Sequence, residues 1–331
     1  MSPRFADRTR QDAERQERDT LAPAATRAAD SRGRVRAEEP DPRRTAFERD
    51  RDRILHTKAF RRLKHKTQVF IDPDGDHFVT RLTHTLQVTQ IGRSLAVYLG
   101  LNEALTEAIC LGHDVGHSPF GHIGEEALSP YVPGEWHHAA QSVRVFAVLE
   151  PINPTFEVTD GIRAHSWKID PPPETPEGMV CRFADRIAYL THDVDDAVRA
   201  GVIAYADLPA SPRRVFGTPG SGWIATMIEA VVSESQRIGE ITMAAEALDA
   251  MHELREFMFA RVYLRPEAEP QRLEAIAVIR GLVDHYLARP DDVPDTYRHP
   301  ASDPLTAAVD YVSGMTDRYA LRDWERLRAE S

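Results

Sequence analysis

Apolar residues recur along this chain at the three- and four-residue spacing of amphipathic helices, and this pattern predicts most of its secondary structure. The predicted helices run from about Arg44 through Leu63, across His84 to Leu95, and over about 102–114, 134–150, 162–165, 178–201, 223–260, 270–289 and 304–328. No segment shows the strict alternation of a half-buried strand, and no internal repeat is present. The sequence therefore predicts an all-α fold.

The segment from His113 to His122 interrupts this helical pattern. It reads His-Asp-Val-Gly-His-Ser-Pro-Phe-Gly-His and so holds three histidines, one aspartate and two glycines. The first glycine and the proline disfavour a continued helix, which places His113 and Asp114 in a last helical turn. His117 and His122 are then expected on a tight loop. Folding alone does not require this composition, because glycine and histidine are poor helix formers and buried imidazoles need polar partners. A metal or phosphate site would explain it.

The predicted helix over residues 178–201 carries polar residues in line beside its apolar face. Asp185, Tyr189 and Asp193 follow one another at four-residue intervals, so they lie on one stripe of the helix. An acid, a phenol and a second acid in this arrangement indicate a helix that lines a polar cavity.

Two other predicted helices each direct a histidine toward the protein interior. His84 shares a face with the apolar residues that follow it, and His113 follows Ile109 by four residues. We therefore predict a mixed nitrogen and oxygen metal site with the ligands His84, His113, Asp114 and Asp185. This donor set suits Mn²⁺, Fe²⁺, Co²⁺ or Mg²⁺ better than a structural zinc ion. A His-Asp pair alone is weak evidence, since His192-Asp193 repeats it in mid-helix without the glycine-rich loop.

The composition limits the partners that this protein could bind. The 331 residues are 42% apolar and 28% charged, as in ordinary soluble globular proteins, and their formal net charge of −11 argues against broad nucleic-acid binding. A polyanionic substrate would have to meet a metal ion and the local basic residues of segment 51–66. No apolar run reaches the roughly 18 residues that span a bilayer. Residues 1–10 contain no apolar signal core, so we expect a cytoplasmic location without a membrane partner. Cys110 and Cys181 lie in apolar patterns and are expected to be buried free thiols.

Changes in composition divide the chain into three regions. Residues 1–43 are charged and nearly lack large apolar side chains, so we expect a flexible N-terminal arm that is disordered or only locally ordered. Residues 44–205 contain the candidate site and are expected to form the catalytic core. Residues 206–331 are expected to form a C-terminal helical region that packs on this core. Within the core, residues 71–76 (Ile-Asp-Pro-Asp-Gly-Asp) predict a turn.

Several motifs in this sequence resemble the HD-domain superfamily of metal-dependent phosphohydrolases. They are Arg-Leu-Thr-His at residues 81–84, the segment 113–125, and Ala-Asp-Arg at residues 184–186. Residues 44–54 and 59–70 are similar to the branch that contains deoxyguanosine triphosphate triphosphohydrolases (dGTPases). The resemblance covers roughly residues 30–200 with specific motifs and the C-terminal third more loosely. It implies an HD-domain helical core with additional C-terminal helices.

This resemblance also implies a reaction and a set of active-site residues. Members of the dGTPase-like branch hydrolyse deoxynucleoside triphosphates to the nucleoside and inorganic tripolyphosphate, with attack on the α-phosphorus. The metal ligands implied are again His84, His113, Asp114 and Asp185. His122 and Glu125 match a catalytic pair in which the carboxylate orients the imidazole, which either activates water or protonates the leaving 5′ oxygen. His138 matches a further active-site histidine, but Ala139 stands where the family has asparagine, and a structural histidine is the alternative.

The substrate contacts implied by the resemblance are Gln68, Arg81, His117, Arg186, Tyr189 and Asp193. Tyr189 and Asp193 match an element that holds the 3′-hydroxyl, and the tyrosine ring crowds the place of a 2′-hydroxyl. Gln68 matches a glutamine that reads the sugar, whereas the two arginines and His117 match phosphate contacts. Each has a simpler alternative: Arg186 could form a surface ion pair, Gln68 could cap a helix, and Tyr189 could be a packed phenol.

Two other functions are compatible with these motifs. The protein could be another HD-type phosphohydrolase, such as a nucleoside monophosphatase or a cyclic-nucleotide phosphodiesterase. It could also be a nucleotide-sensing or single-stranded nucleic-acid-binding protein with vestigial activity, although an intact ligand set and catalytic pair argue against this. The family resemblance further implies a homo-oligomer and a second deoxynucleotide that acts as an activator.

Overall fold

The computed structural model describes residues 7–68, 78–300 and 302–330, so the predicted turn at 71–76 lies outside the described residues. The described residues form the α-helices α1 Arg10–Thr20, α2 Ala46–Leu55, α3 Lys58–Arg62, α4 Arg81–Leu99, α5 Glu103–Gly112, α6 His122–Leu128, α7 His138–Arg144, α8 Phe156–Arg163, α9 Pro176–Arg199, α10 Ala210–Phe216, α11 Ser221–Ile238, α12 Ala245–Met258, α13 Glu269–Ala288, α14 Pro304–Ser313 and α15 Asp317–Glu330. Strand-like pairing in this part of the chain is limited to isolated bridges between Arg34 and Thr155 and between Thr67 and Thr80. The all-α prediction is confirmed.

The first hydrophobic core lies among α4, α5 and α9, with α2, α8 and α11 packed around them. Val88, Ile91 and Leu95 of α4 are fully buried there, and His84 lies on the same buried face, as predicted. Each fully buried aliphatic side chain contributes about 1.5–3 kcal/mol relative to its exposed state. Packing against neighbours therefore fixes the three helices relative to one another, and with them the side chains that α4, α5 and α9 carry toward their common centre.

A close approach between the segment after α5 and helix α7 depends on Gly116. A Cβ atom at this position would overlap the backbone of Gln141 and Ser142. The Gly116 N–H donates to Ser142 Oγ at 2.9 Å, and that hydroxyl donates to the carbonyl oxygen of His113 at 2.8 Å. The glycine thus allows α7 to lie directly against the His-Asp segment.

A second hydrophobic core joins α6 to the C-terminal helices α13, α14 and α15. Ala127 and Leu128 of α6, together with Phe120 and Trp136, are buried among these helices. Helices α10, α11 and α12 instead belong to the first core. The predicted domain boundary near residue 206 therefore does not coincide with the division between the two cores, and it stays a prediction.

The described part of the N-terminal arm, residues 7–43, is more ordered than its composition predicts. Residues 10–20 form α1, and the arm contacts the first core through polar side chains. Glu177 accepts hydrogen bonds from the Thr26 amide (3.0 Å) and hydroxyl (2.7 Å), and Arg34 forms a buried ion pair with Asp50. Ala25 and Ala28 of the arm are buried in the first core as well, but these small side chains and the polar pairs give no helical apolar pattern, so the hydrophobic pattern could not reveal the order.

Several helix boundaries differ from the predicted ones. His122 is the first residue of α6 rather than a loop residue, α5 ends at Gly112, and α7 begins only at His138. The single pattern predicted over 223–260 is two helices, because α11 ends at Ile238 and the next residue, Gly239, has a left-handed φ of +88°. No described helix has both the length and the apolar character needed to cross a bilayer.

Candidate active site

Three predicted metal ligands meet at the centre of the first core. His84 Nε2, on α4, lies 3.1 Å from Asp185 Oδ1 on α9. His113 Nε2, just after α5, lies 3.8 Å from the same oxygen and 3.6 Å from Asp114 Oδ1. The structure thus brings His84, His113 and Asp185 around one point, and the fourth predicted ligand, Asp114, joins this cluster through its contact with His113.

The lone pairs and negative charges of this cluster favour binding of a cation. His113 Nδ1–H donates to the carbonyl oxygen of Cys110 at 2.6 Å, so its Nε2 carries the lone pair and faces the cluster. This buried Nε2 has no hydrogen-bond partner in the described part of the chain. Burial raises the pKa of Asp185, but the hydrogen bond with His84 and the nearby His113 outweigh it and bring the pKa to about 2. Two imidazole nitrogens and two carboxylates fit a divalent metal ion.

Asp114 also holds a neighbouring arginine. Arg81, at the start of α4, donates from Nη1 to Asp114 Oδ2 at 2.8 Å, and both side chains are buried. Burial alone would raise the pKa of Asp114, but the nearby His113 and Arg81 lower it well below its usual range. The carboxylate is therefore ionised and bridges the metal cluster to a buried guanidinium group.

The predicted catalytic pair proves to be part of a larger group centred on Glu125. His122 Nδ1 lies 3.4 Å from Glu125 Oε2, and most of the His122 side chain is exposed. His138 donates to Glu125 Oε1 from Nδ1 and, at 3.2 Å, from its backbone N–H. Burial opposes ionisation of Glu125, but His138 and His122 hold its pKa well below the usual range. One carboxylate thus orients both histidines that the sequence assigned to catalysis.

His165 joins this group, although sequence reasoning did not single it out. Its Nδ1–H donates to the carbonyl oxygen of Ile162 at 2.8 Å, which leaves Nε2 to accept from His138 Nε2–H at 3.0 Å. Burial lowers the pKa of His165 to about 3, consistent with a neutral acceptor. Burial also opposes the charge on His138, but Glu125 outweighs it and raises that pKa. No local motif marks His165, which follows a short helix after a proline-rich segment.

His117 lies between the metal cluster and the Glu125 group. Its ring stacks on that of His138 with centroids 4.4 Å apart, and its Nε2 is 3.7 Å from Glu125 Oε1. Burial and the nearby Arg81 lower the pKa of His117 well below its usual range, so the ring is neutral. His117, Asp114 and His138 form a further group whose donor atoms lie within 4.8 Å of one another.

Four of the six residues predicted to contact substrate have a buried polar atom without a hydrogen-bond partner in the described residues. These atoms are Arg81 Nε, Arg186 Nε, His117 Nδ1 and Gln68 Oε1. Arg186 is buried and stacks on the Trp167 ring at 3.8 Å, which contradicts the alternative of a surface ion pair. Gln68 caps no helix through its unpartnered Oε1. Because buried polar atoms are usually paired, the unpaired atoms of these four side chains are available to a polar ligand.

The polar stripe of α9 extends from the metal cluster to a second acid. Asp185, Tyr189 and Asp193 lie on the same side of the helix, as predicted, and Tyr263 Oη donates to Asp193 Oδ2 at 2.6 Å. Burial raises the pKa of Asp193 to about 7 and also raises that of the Tyr189 phenol. Sequence reasoning missed Tyr263 because it falls between two predicted helices, 70 residues from its partner.

Replacement of Asp193 with asparagine tests whether burial raises the pKa of this carboxyl. Unfolded aspartate titrates near pH 3.9, whereas the folded-state pKa of Asp193 is about 7. The raised pKa makes the wild-type protein lose stability as the pH rises from about 4 to about 7. The Asp193→Asn amide stays neutral and still accepts from Tyr263. We expect the variant to gain stability relative to the wild type over this range, by up to about 4 kcal/mol, in denaturant unfolding of the metal-free proteins. A difference independent of pH would contradict this account.

Two segments of the chain match known domain families. Residues 81–190 match the HD domain, and residues 241–326 match the phosphohydrolase-associated domain. Relatives named deoxyguanosinetriphosphate triphosphohydrolase-like protein are similar over nearly the whole length. The one from Caldanaerobacter subterraneus subsp. tengcongensis is 45% identical over 313 residues, which are 93% of this chain and 92% of the relative. One from Clostridium perfringens is 43% identical over 331 residues, 96% of this chain and 97% of the relative.

Proposed function

Because this chain belongs to the family of deoxyguanosinetriphosphate triphosphohydrolase-like proteins and contains an HD domain, we propose that it hydrolyses deoxynucleoside triphosphates to the deoxynucleoside and inorganic tripolyphosphate. The family and its HD domain identify it as an HD-type phosphohydrolase; the substrate and the products are our proposal. The observation that carries this proposal is the stripe of α9. This stripe carries the predicted metal ligand Asp185 and, about 12 Å farther along the helix axis, the buried Asp193 that accepts from Tyr263, which supports a site with a metal end and a sugar end.

The metal cluster defines the phosphate end of the proposed site. A divalent metal ion bound by His84, His113, Asp114 and Asp185 would neutralise charge that develops on phosphate oxygens. Mn²⁺, Mg²⁺, Fe²⁺ and Co²⁺ all fit these ligands. Arg81 and Arg186 add two buried positive charges whose Nε–H groups are unpaired and available to phosphate oxygens. His117 offers its unpaired Nδ1 at the same end.

The Glu125 group supplies proton transfer in this proposal. Since Nδ1 of His122 faces Glu125, its Nε2 is the nitrogen that exchanges a proton with the reacting centre. Glu125 fixes the ring orientation and stabilises the charged imidazole. His138 is held between Glu125 and His165, so it keeps a positive charge beside the carboxylate and orients it. Water attack on the α-phosphorus then breaks its bond to the 5′ oxygen, which leaves on the deoxynucleoside with a proton.

The far end of the α9 stripe is the proposed sugar site. The buried Asp193 carboxyl offers an oxygen to the 3′-hydroxyl, and the Tyr189 ring occupies the space beside it that a 2′-hydroxyl would need. Gln68 Oε1 is a free acceptor for the sugar. These assignments rest on the family resemblance together with the burial and missing partners of the groups.

A substrate panel tests the proposed function. The purified protein with Mn²⁺ is incubated separately with each deoxynucleoside triphosphate, each ribonucleoside triphosphate, deoxynucleoside monophosphates and cyclic nucleotides, and the products are separated by ion-exchange chromatography. We expect deoxynucleoside and tripolyphosphate from at least one deoxynucleoside triphosphate. Orthophosphate from a monophosphate, or a linear nucleotide from a cyclic one, without tripolyphosphate from any triphosphate, would assign a different HD-type reaction.

The remaining features of the proposal concern partners and location. Activation by a second deoxynucleotide, assembly into a homo-oligomer, binding of single-stranded nucleic acid and a cytoplasmic location stay predictions. Activation would appear as stimulation of the hydrolysis of one deoxynucleotide by another, and independent hyperbolic kinetics would contradict it.

A further inference from the structure

The carboxylate of Asp317, the first residue of α15, connects two segments of chain that border the site. Its Oδ1 accepts the backbone N–H of Phe120 at 3.1 Å, and its Oδ2 accepts the backbone N–H of Thr67 at 2.8 Å. Asp317 is buried, with 8% of its surface exposed. Asp317 is far from the motif segments in sequence. Both of its carboxylate oxygens nevertheless accept hydrogen bonds from the backbone beside those segments.

The turn that Asp317 holds is conformationally demanding. Phe120 has a φ of +58°, in the left-handed region that residues other than glycine rarely adopt, and Gly121 follows with a φ of +62°. The next residue is His122, which begins α6. A hydrogen bond to the Phe120 N–H therefore acts on the turn that sets the start and direction of the helix carrying His122 and Glu125.

The same turn lies against two predicted substrate contacts. A Cβ atom at Gly121 would come within 2.9 Å of Arg81 Nη2 and 3.6 Å of the backbone oxygen of Gln68. Thr67, the second partner of Asp317, directly precedes Gln68. Both backbone segments that Asp317 holds are thus in contact with groups proposed to bind the substrate.

A second connection lies beside Asp317. Lys66 is buried and donates from Nζ to the carbonyl oxygens of His117 and, at 3.1 Å, of Ser313, the last residue of α14. The end of α14 and the start of α15 are therefore attached to the segment that contains His117 and Phe120. The C-terminal region reaches the site through these contacts rather than through apolar packing alone.

These contacts bear on the geometry of the site because its residues lie on segments of two different hydrophobic cores. The predicted metal ligands lie on α4 and α9 and directly after α5, all helices of the first core, whereas α6, with His122 and Glu125, packs on α13 and the other C-terminal helices of the second core. The distance between the metal cluster and the catalytic pair therefore depends on how the cores are joined at the turn before His122.

We propose that Asp317 is a positioning residue that fixes the Phe120–Gly121 turn and thereby sets His122 and Glu125 relative to the metal cluster. This inference rests on the proposed function. Asp317 touches neither the predicted metal ligands nor the predicted catalytic residues, so it acts through the backbone that it holds. A shift of about 1 Å in a catalytic group is enough to reduce turnover by a factor on the order of 10².

The test compares Asp317→Asn with Asp323→Asn on the same helix. Asparagine loses one acceptor oxygen and places an N–H₂ group against a backbone N–H, which releases one of the two segments. Asp323 is equally buried, with 8% of its surface exposed, but it accepts from Tyr286 Oη and pairs with Arg326, away from the site. The two variants therefore remove similar buried interactions, and only one of them involves the turn.

We expect kcat of Asp317→Asn to fall at least tenfold, while the Mn²⁺ dissociation constant measured by calorimetry stays within about twofold of the wild-type value. Hydrogen exchange of a peptide spanning residues 118–122 should become faster than in the wild type, without a change in peptides of α4. Asp323→Asn should keep kcat within about twofold and leave exchange at 118–122 unchanged. If Asp317→Asn does not fold, Asp317→Glu replaces it, because it keeps both oxygens but displaces them by one methylene. It should likewise lower kcat without changing the Mn²⁺ dissociation constant.

An unchanged kcat in a folded Asp317 variant would overturn the inference. So would a fall in kcat matched by an equal loss of Mn²⁺ affinity, because that result assigns Asp317 a general structural role. Failure of the proposed function is distinguishable, since it appears as absence of hydrolysis by the wild-type protein. In that case the comparison of hydrogen exchange at residues 118–122 still tests whether Asp317 fixes the Phe120–Gly121 turn. Exchange that is unchanged in the variant would overturn the inference.

Discussion

The Asp185→Ala variant should lose divalent-metal binding and hydrolysis together, by a factor of at least about 10³ in activity. Asp185 Oδ1 is the atom that both ring nitrogens approach, at 3.1 Å from His84 Nε2 and 3.8 Å from His113 Nε2. Its removal deletes one negative charge and the only ligand contributed by α9. Calorimetric titration with Mn²⁺ and the rate of deoxynucleotide hydrolysis, measured on the same preparation, test this result.

Asp195→Ala is the matched control for this experiment. Asp195 lies on the same helix, and its side chain hydrogen-bonds to the exposed Tyr205 hydroxyl at 3.0 Å, outside the site. The control should bind Mn²⁺ and hydrolyse substrate as the wild type does, with both variants folded by circular dichroism. Full activity of Asp185→Ala would exclude the predicted metal site as the place of catalysis.

The second large effect concerns Glu125. Glu125→Gln keeps the size of the side chain but removes the charge that both His122 and His138 contact. We expect kcat to fall by about 10²–10⁴, the usual contribution of a positioned acid or base. Mn²⁺ affinity should persist, since Glu125 is not a predicted metal ligand. This separation distinguishes Glu125→Gln from Asp185→Ala, in which both quantities are lost.

The adjacent Glu126→Gln is a control within the same helix. Glu126 is at the surface and pairs with Arg272 of α13, so its replacement should change neither kcat nor Mn²⁺ binding measurably. If Glu125→Gln retained kcat within tenfold of the wild type, the catalytic role proposed for the Glu125 group would be wrong.

The spacing of apolar residues was sufficient to predict the helices of the core, but it did not predict the polar contacts that order the N-terminal arm. The buried faces of α4 and α9 follow directly from apolar spacing, and the family matches confirm the resemblance to HD-domain and dGTPase-like proteins. The arm over residues 1–43 was expected to be flexible because it nearly lacks large apolar side chains. The order of its described part, residues 7–43, depends in part on polar pairs such as Arg34 with Asp50, which leave no apolar pattern. His122 was expected on a loop because Gly116 and Pro119 disfavour a continued helix, but a new helix begins at His122 itself.

In the site, too, residues marked by a local sequence motif were predicted, and residues that depend on a partner distant in sequence were missed. The loop around His113 distinguished it from the second His-Asp pair, whose His192 hydrogen-bonds within its own helix to the Ala188 carbonyl. His165 and Tyr263 were missed because each meets its partner across a long stretch of chain. Tertiary packing brings such residues together, and single-sequence spacing carries no signal for it.

The most direct test of the proposed reaction follows oxygen from the solvent. Hydrolysis of a deoxynucleoside triphosphate is carried out in ¹⁸O-labelled water with Mn²⁺, and the products are examined by ³¹P NMR and mass spectrometry. Attack on the α-phosphorus predicts one ¹⁸O atom in a terminal phosphate of tripolyphosphate and none in the deoxynucleoside. Label in orthophosphate or pyrophosphate, released with a deoxynucleotide instead of the free deoxynucleoside, would contradict the proposed function.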